Sequence, residues 1–156
     1  MIKTKRFKYT PKELFSILIM RYAKKRWWLF AWIWSLAIIM ILINNQDSFT
    51  YFFIGFAILY PVLLVIQFWS YVNSKGNKLL LYERFYEIDN DKINGILDED
   101  THSTIKLEHF IKVEMIRNTY LLFIAKNQFV YIPINSFESE DDRKWFETEI
   151  LSKIKK

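Results

Sequence analysis

Two apolar stretches constrain this chain more than anything else in it: Trp27–Ile43, WWLFAWIWSLAIIMILI, and Tyr51–Val72, YFFIGFAILYPVLLVIQFWSYV. Neither contains a charged side chain. A membrane span needs about 20 mostly apolar residues at roughly 1.5 Å rise each, and both runs sit at that threshold. The residues between them, Asn44–Thr50, hold no Lys or Arg and leave room only for a tight turn. The pattern predicts a helical hairpin that crosses a bilayer twice. A cleaved signal peptide is the other reading of an early apolar run. The charged lead here is too long for one, and no small-residue cleavage site follows Ile43.

Charge is distributed around that hairpin rather than through it. Residues 1–26 carry nine Lys or Arg against the single acid Glu13, and Lys75 and Lys78 follow the second run. Residues 79–156 carry eleven basic and fifteen acidic side chains, a net of −4. Positive charge therefore lies at one end of both spans and not in the turn. The positive-inside rule then places both termini in the cytoplasm, with the hairpin as a multi-pass anchor in the inner (plasma) membrane. An acidic domain lacks the basic face that nucleic acid requires, so no nucleic-acid partner is expected. The chain has no Cys, which excludes thiolate catalysis, disulfides and thiolate zinc sites. Neither span holds an ionisable residue, which argues against a proton-coupled transporter or an intramembrane hydrolase.

The expected division is a basic N-terminal segment with an interfacial helix (1–26), the two-span hairpin (27–72), a linker (73–78) and a cytoplasmic domain (79–156). In the first part, Thr10-Pro11-Lys12-Glu13 reads as a helix start, with Thr10 as cap and Pro11 at the first helical position. Leu14, Phe15, Leu18, Ile19 and Tyr22 follow at helical spacing. This helix is expected at the membrane surface or against the domain, with Arg21–Arg26 among the headgroups. Trp27 and Trp28 suit an interfacial aromatic belt. Pro61 is expected to kink the second span, and Gln67 to bond to a neighbouring helix.

Beyond Asn73-Ser74-Lys75-Gly76-Asn77 the apolar period falls to about two. Strands are expected over 79–88, Ile93–Leu97, Thr101–Leu107, Phe110–Ile116, Tyr120–Ala125 and Phe129–Ile134. The turns between them are Asp89–Lys92, Asp98-Glu99-Asp100, Arg117-Asn118 and Lys126-Asn127. The chain closes with a helix capped by Ser139, acidic in its first turn. Trp145, Phe146, Ile150, Leu151 and Ile154 form its apolar face, and Lys153, Lys155 and Lys156 lie at its end. The fold class is therefore a membrane α-helical hairpin plus an α+β domain. That domain is a small antiparallel β-sheet or barrel closed by a C-terminal helix, a pleckstrin-homology-like layout. The basic N-terminal segment could itself pair with this sheet.

The run Tyr131-Ile132-Pro133-Ile134-Asn135-Ser136-Phe137, then Ser139-Glu140-Asp141 and Trp145-Phe146, resembles the YcxB-like family. Its members are small bacterial membrane proteins with two spans and a pleckstrin-homology-like domain. The resemblance runs from Phe7–Glu13 to the final helix. It implies that Pro133 ends a strand and Phe137 plugs the sheet, and it implies no catalytic residue.

The candidate sites read individually are weak. His102 and His109 flank a strand, whereas a zinc site needs three or four ligands. Asp89-Asn90-Asp91 opens like a calcium loop but continues with Ile93 and Asn94, where an oxygen ligand and Gly are required. Asp98-Glu99-Asp100 reads as a solvated turn. Three Gly in the whole chain build no phosphate cradle. No catalytic, cofactor-binding or metal residue is predicted, and no cofactor. The expected function is a membrane-anchored, non-enzymatic binding or adaptor protein. Its expected partners are the lipid bilayer and a membrane or cytoplasmic protein, possible because a sheet edge can accept an added strand. The alternatives are an immunity or protection factor acting through its hairpin, and a lipid or small-ligand sensor.

Overall fold

The computed structural model describes residues 1–43, 47–98, 101–126 and 128–154. The predicted turns at Asn44–Thr50, Asp98-Glu99-Asp100 and Lys126-Asn127 lie partly outside these residues, as do Lys155 and Lys156. The chain forms two compact units, Pro11–Leu79 and Met1–Thr10 with Leu80–Lys156. This division departs from the expected one, because the first ten residues fold with the C-terminal part.

The first unit is a pair of helices, α1 (Pro11–Ile43) and α2 (Ser48–Asn73). Both are long and apolar enough to cross a membrane. The expected N-terminal helix is present as the part of α1 up to Arg26, where a kink joins it to a second helix. Once Pro11 has started the helix, no Gly or Pro interrupts it before Ile43, and Lys and Arg are good helix formers. The one non-helical backbone position is Arg26 (φ −123, ψ 20), the last residue of the basic cluster. The part of α1 after Arg26, Trp27–Ile43, rises roughly 25 Å, close to the ~30 Å hydrocarbon core.

The charged half of α1 lies along α2. Phe15 meets Trp69 edge-on at 5.5 Å, Tyr22 meets Phe68 at 5.5 Å, and Phe30 meets Tyr60 at 5.8 Å. The Tyr22 and Tyr60 hydroxyls hydrogen-bond at 2.8 Å. Nearer the turn, Ala37, Thr50 and Ala57 are buried, small residues that let helices approach closely. Asp47 caps α2 by accepting from the Thr50 N–H at 2.7 Å. The helix continues through Pro61, and Gln67 is exposed. The predicted linker is a tight 3-10 segment, Lys75–Leu81. Its Asn77 amide donates to the Tyr71 carbonyl (2.8 Å) and to Ser74 Oγ (3.0 Å), so it caps α2 rather than spacing two domains.

That segment also delays the first strand, expected from residue 79. The strands of the second unit are β1 (Ile2–Lys3), β2 (Phe85–Ile88), β3 (Lys92–Asp98), β4 (Thr101–Lys106), β5 (Lys112–Ile116), β6 (Thr119–Ala125) and β7 (Gln128–Pro133). The expected single meander is two antiparallel sheets, ordered β1-β2-β3-β4 and β5-β6-β7. The break falls at Leu107–His109, a 3-10 turn where Leu107 and then Phe110 are buried in place of a polar hairpin.

β1 pairs with β2 in the register Ile2↔Ile88 and Lys3↔Glu87. Thr4, 1% exposed, then bridges to Phe137. Its N–H donates to the Tyr86 carbonyl (2.9 Å), and its Oγ1 accepts from the Tyr86 N–H (2.8 Å). Phe7 and Arg84 exchange two backbone hydrogen bonds of 2.9 Å. The Tyr9 hydroxyl bonds to Thr119 Oγ1 at 2.7 Å, and the Tyr9 ring lies 4.8 Å from that of Tyr131. Inward Thr4, Phe7 and Tyr9 thus alternate with outward Lys3, Lys5, Arg6 and Lys8. Those four cations offset the −4 of residues 79–156, so the folded unit is formally neutral rather than acidic.

The core holds Tyr86, Ile88, Ile93, Tyr120, Leu122 and Ile132 from the sheets, with Phe146, Ile150, Leu151 and Ile154 from the C-terminal helix. That helix is α3 (Glu140–Trp145), a π turn (Phe146–Ile150) and α4 (Leu151–Ile154). The cap is as the sequence predicts: Ser139 Oγ accepts from the Asp142 N–H at 3.0 Å. Phe137 is buried between Tyr120 and Phe146, at ring distances of 6.4 and 5.2 Å.

Two predictions follow from this packing. A Cβ at Gly95 would stand 2.9 Å from the buried Tyr86 ring and 2.9 Å from Ser103 Oγ on the flanking strands. Gly95→Ala should therefore lower stability by ~1–3 kcal/mol through overpacking, read as a fall in the thermal midpoint of the detergent-solubilised protein. Thr4→Val keeps the shape and removes the acceptor for the Tyr86 N–H. It should cost about 1–3 kcal/mol for an unsatisfied buried donor, whereas Lys5→Ala, at an exposed site, should leave the midpoint within error.

Candidate functional site

The feature of the β unit most suited to binding is an open strand edge. β4 reads Thr-His-Ser-Thr-Ile-Lys, and every residue in it except Ile105 is exposed. One side pairs with β3 from Lys92↔Lys106 to Asp98↔Thr101, and β4 ends the sheet. Edge strands are usually blunted by Pro, by inward-pointing charge or by extreme shortness. β4 has no Pro and a single charge, Lys106 at its end. Its protection is a register irregularity between Ile96 and Asp98. β5 is likewise an edge strand of the second sheet, and Met115 (51%) on it and Ile111 (61%) just before it are exposed apolar side chains. The signal for the β4 edge was present in the sequence. A strand polar on both faces, as Thr101–Thr104 is, has no core to face on either side.

Two tyrosines of the unit act as hydrogen-bond donors. The Tyr120 hydroxyl donates to the Glu147 carboxylate, and that of Tyr131 to the Leu80 carbonyl. Burial, followed by Glu147, pushes the Tyr120 phenol above its ordinary range. Burial also raises Tyr131, against the opposing effect of the Arg84 guanidinium, which lies 4.9 Å over its ring. Tyr86 is raised by burial in the same way. All three stay protonated near neutral pH, so they hold the fold and are not poised as bases or nucleophiles.

The residues singled out in the sequence do not converge. His102 lies on exposed β4. His109 is exposed in the 3-10 turn, with Nε2 3.9 Å from the Glu108 carboxylate. Asp89-Asn90-Asp91 forms the β2–β3 turn, where the Asn90 N–H donates to Asp89 Oδ1 (2.8 Å) and the Asp89 N–H to the Lys92 carbonyl (2.9 Å). Of Asp98-Glu99-Asp100, only the Asp98 backbone falls within the described residues. Among the described residues no group of three or more His, Asp or Glu is arranged to hold a metal ion.

No curated protein and no solved structure matches the chain. Residues 81–150 match a family model described as YcxB-like protein. The match begins at the end of the 3-10 segment, covers β2 to β7 and ends inside the C-terminal helix. It leaves out β1 and both apolar helices. Behind two apolar helices, residues 81–150 of this chain are therefore similar to the YcxB-like family.

Proposed function

We propose that this protein is a membrane-anchored, non-enzymatic adaptor whose pleckstrin-homology-like β domain binds an extended segment of a protein partner along β4. In this reading the helix pair spans the inner membrane and both termini are cytoplasmic. Support for that orientation comes from Lys24, Lys25 and Arg26 before Trp27, Lys75 and Lys78 after α2, and a turn segment without Lys or Arg. The observation that carries the binding role is the exposed, proline-free β4 edge. An added strand gains main-chain hydrogen bonds there without any catalytic group.

The test combines capture with edge blocking. Successive residues of a strand direct their N–H groups to opposite sides. One of Ser103→Pro and Thr104→Pro therefore removes only an outward donor, and the other breaks a bond to β3. Comparing the thermal midpoints of the two variants identifies which is which. Tagged protein purified from its native membrane in mild detergent should bring down one enriched partner near equal stoichiometry. The fold-preserving proline variant should lose that partner by at least about tenfold. Capture that survives in the fold-preserving variant, or no enrichment over an unrelated two-span protein, contradicts the proposal.

A further inference from the structure

A second feature of the β unit is electrostatic and independent of the β4 edge. Lys92 and Lys106 are Cα partners across β3 and β4, so two ammonium-bearing side chains stand directly opposite each other on one face. Like charges in that position destabilise a strand pair. Lys153, from α4, joins them, and all three line one cavity of about 470 Å³. The volume lies in the range of small-molecule sites. Asn90 and Leu107 form part of its wall, with the carboxylates Asp91 and Glu108.

The carboxylates do not fully compensate the lysines. Glu108 lies 3.6 Å from the Lys106 ammonium and is shared with His109 at 3.9 Å. Lys153 donates to the Asn90 carbonyl at 3.0 Å, a neutral acceptor. Three cations against two anions leave the cavity lining positive, on a unit that is neutral overall. Three different elements deliver these lysines, so ordinary surface spacing does not account for the convergence. A doubly charged anion seated between Lys92 and Lys106 would relieve their repulsion, and lysine is a recurrent phosphate binder through its point charge.

We propose that Lys92, Lys106 and Lys153 form a binding site for a phosphomonoester group. The group could reach the site on a lipid headgroup or on a soluble phosphorylated molecule. Both are tested on the full-length protein, with glycerol 3-phosphate titrated calorimetrically in micelles and with nanodiscs of phosphatidylcholine with or without phosphatidic acid. The comparison is Lys92→Gln/Lys106→Gln, which removes the like-charge pair and should melt no lower than the parent in the absence of ligand. Saturable binding of glycerol 3-phosphate that weakens at least about tenfold in the variant supports the site with a soluble ligand. A phosphatidic-acid-dependent rise in melting midpoint that the variant loses, without glycerol 3-phosphate binding, supports the site with a headgroup ligand. If neither probe acts at low salt, or if the variant responds like the parent, the proposal is wrong. The last outcome would assign anionic-lipid effects to the Arg21–Arg26 cluster instead.

Discussion

The structure depends on a closure between residues far apart in the chain. Ile2, Lys3 and Thr4 complete a sheet whose next strand begins at Phe85. Joining ends separated by about 80 residues carries a loop-closure cost that grows as (3/2)RT ln n. The helix pair reduces that cost, because Phe15 and Trp69 are already in ring contact at 5.5 Å. In sequence, α1 and α2 lie between β1 and β2 of one sheet.

This arrangement explains why the polar interactions cluster where they do. Thr4, Tyr9 and Tyr131 bond to Tyr86, Thr119 and Leu80, all within the β unit. A β unit begun at residue 79 would expose the β2 edge that β1 covers and would orphan the Tyr86 N–H. It would also lose four cations and revert to a net −4. The segment matched by the family model, 81–150, is thus short of one strand of its own sheet.

Much of this was legible in the sequence, for reasons that differ by element. The helix pair showed because its apolar runs are unbroken and long enough to cross a bilayer. β3, β5, β6 and β7 showed because each has an alternating or continuous apolar face, and Ser139 showed because capping is a local interaction. What escaped depended on distant partners. Pairing of the N-terminal segment with the sheet was among the expectations, but Ile2–Lys3 is too short to carry a period, and nothing local says that its partner is Ile88. The basic run Arg21–Arg26 looked like a boundary because charge favours headgroups. The structure has a kink there, at Arg26, with helix on either side of it. The Lys92–Lys106 pair was invisible until the β3–β4 register was known, since neither residue is unusual alone.

The most direct test of the account is a disulfide across the closure, which the absence of native Cys makes clean. Lys3→Cys with Glu87→Cys probes β1 against β2, and Asn94→Cys with Thr104→Cys probes β3 against β4 as a control for sheet formation. Oxidation in native membranes, read as a mobility shift on a non-reducing gel, should cross-link both pairs to the same extent. Cross-linking of 94 to 104 without that of 3 to 87 would contradict the closure. The β domain would then stand without its N-terminal strand.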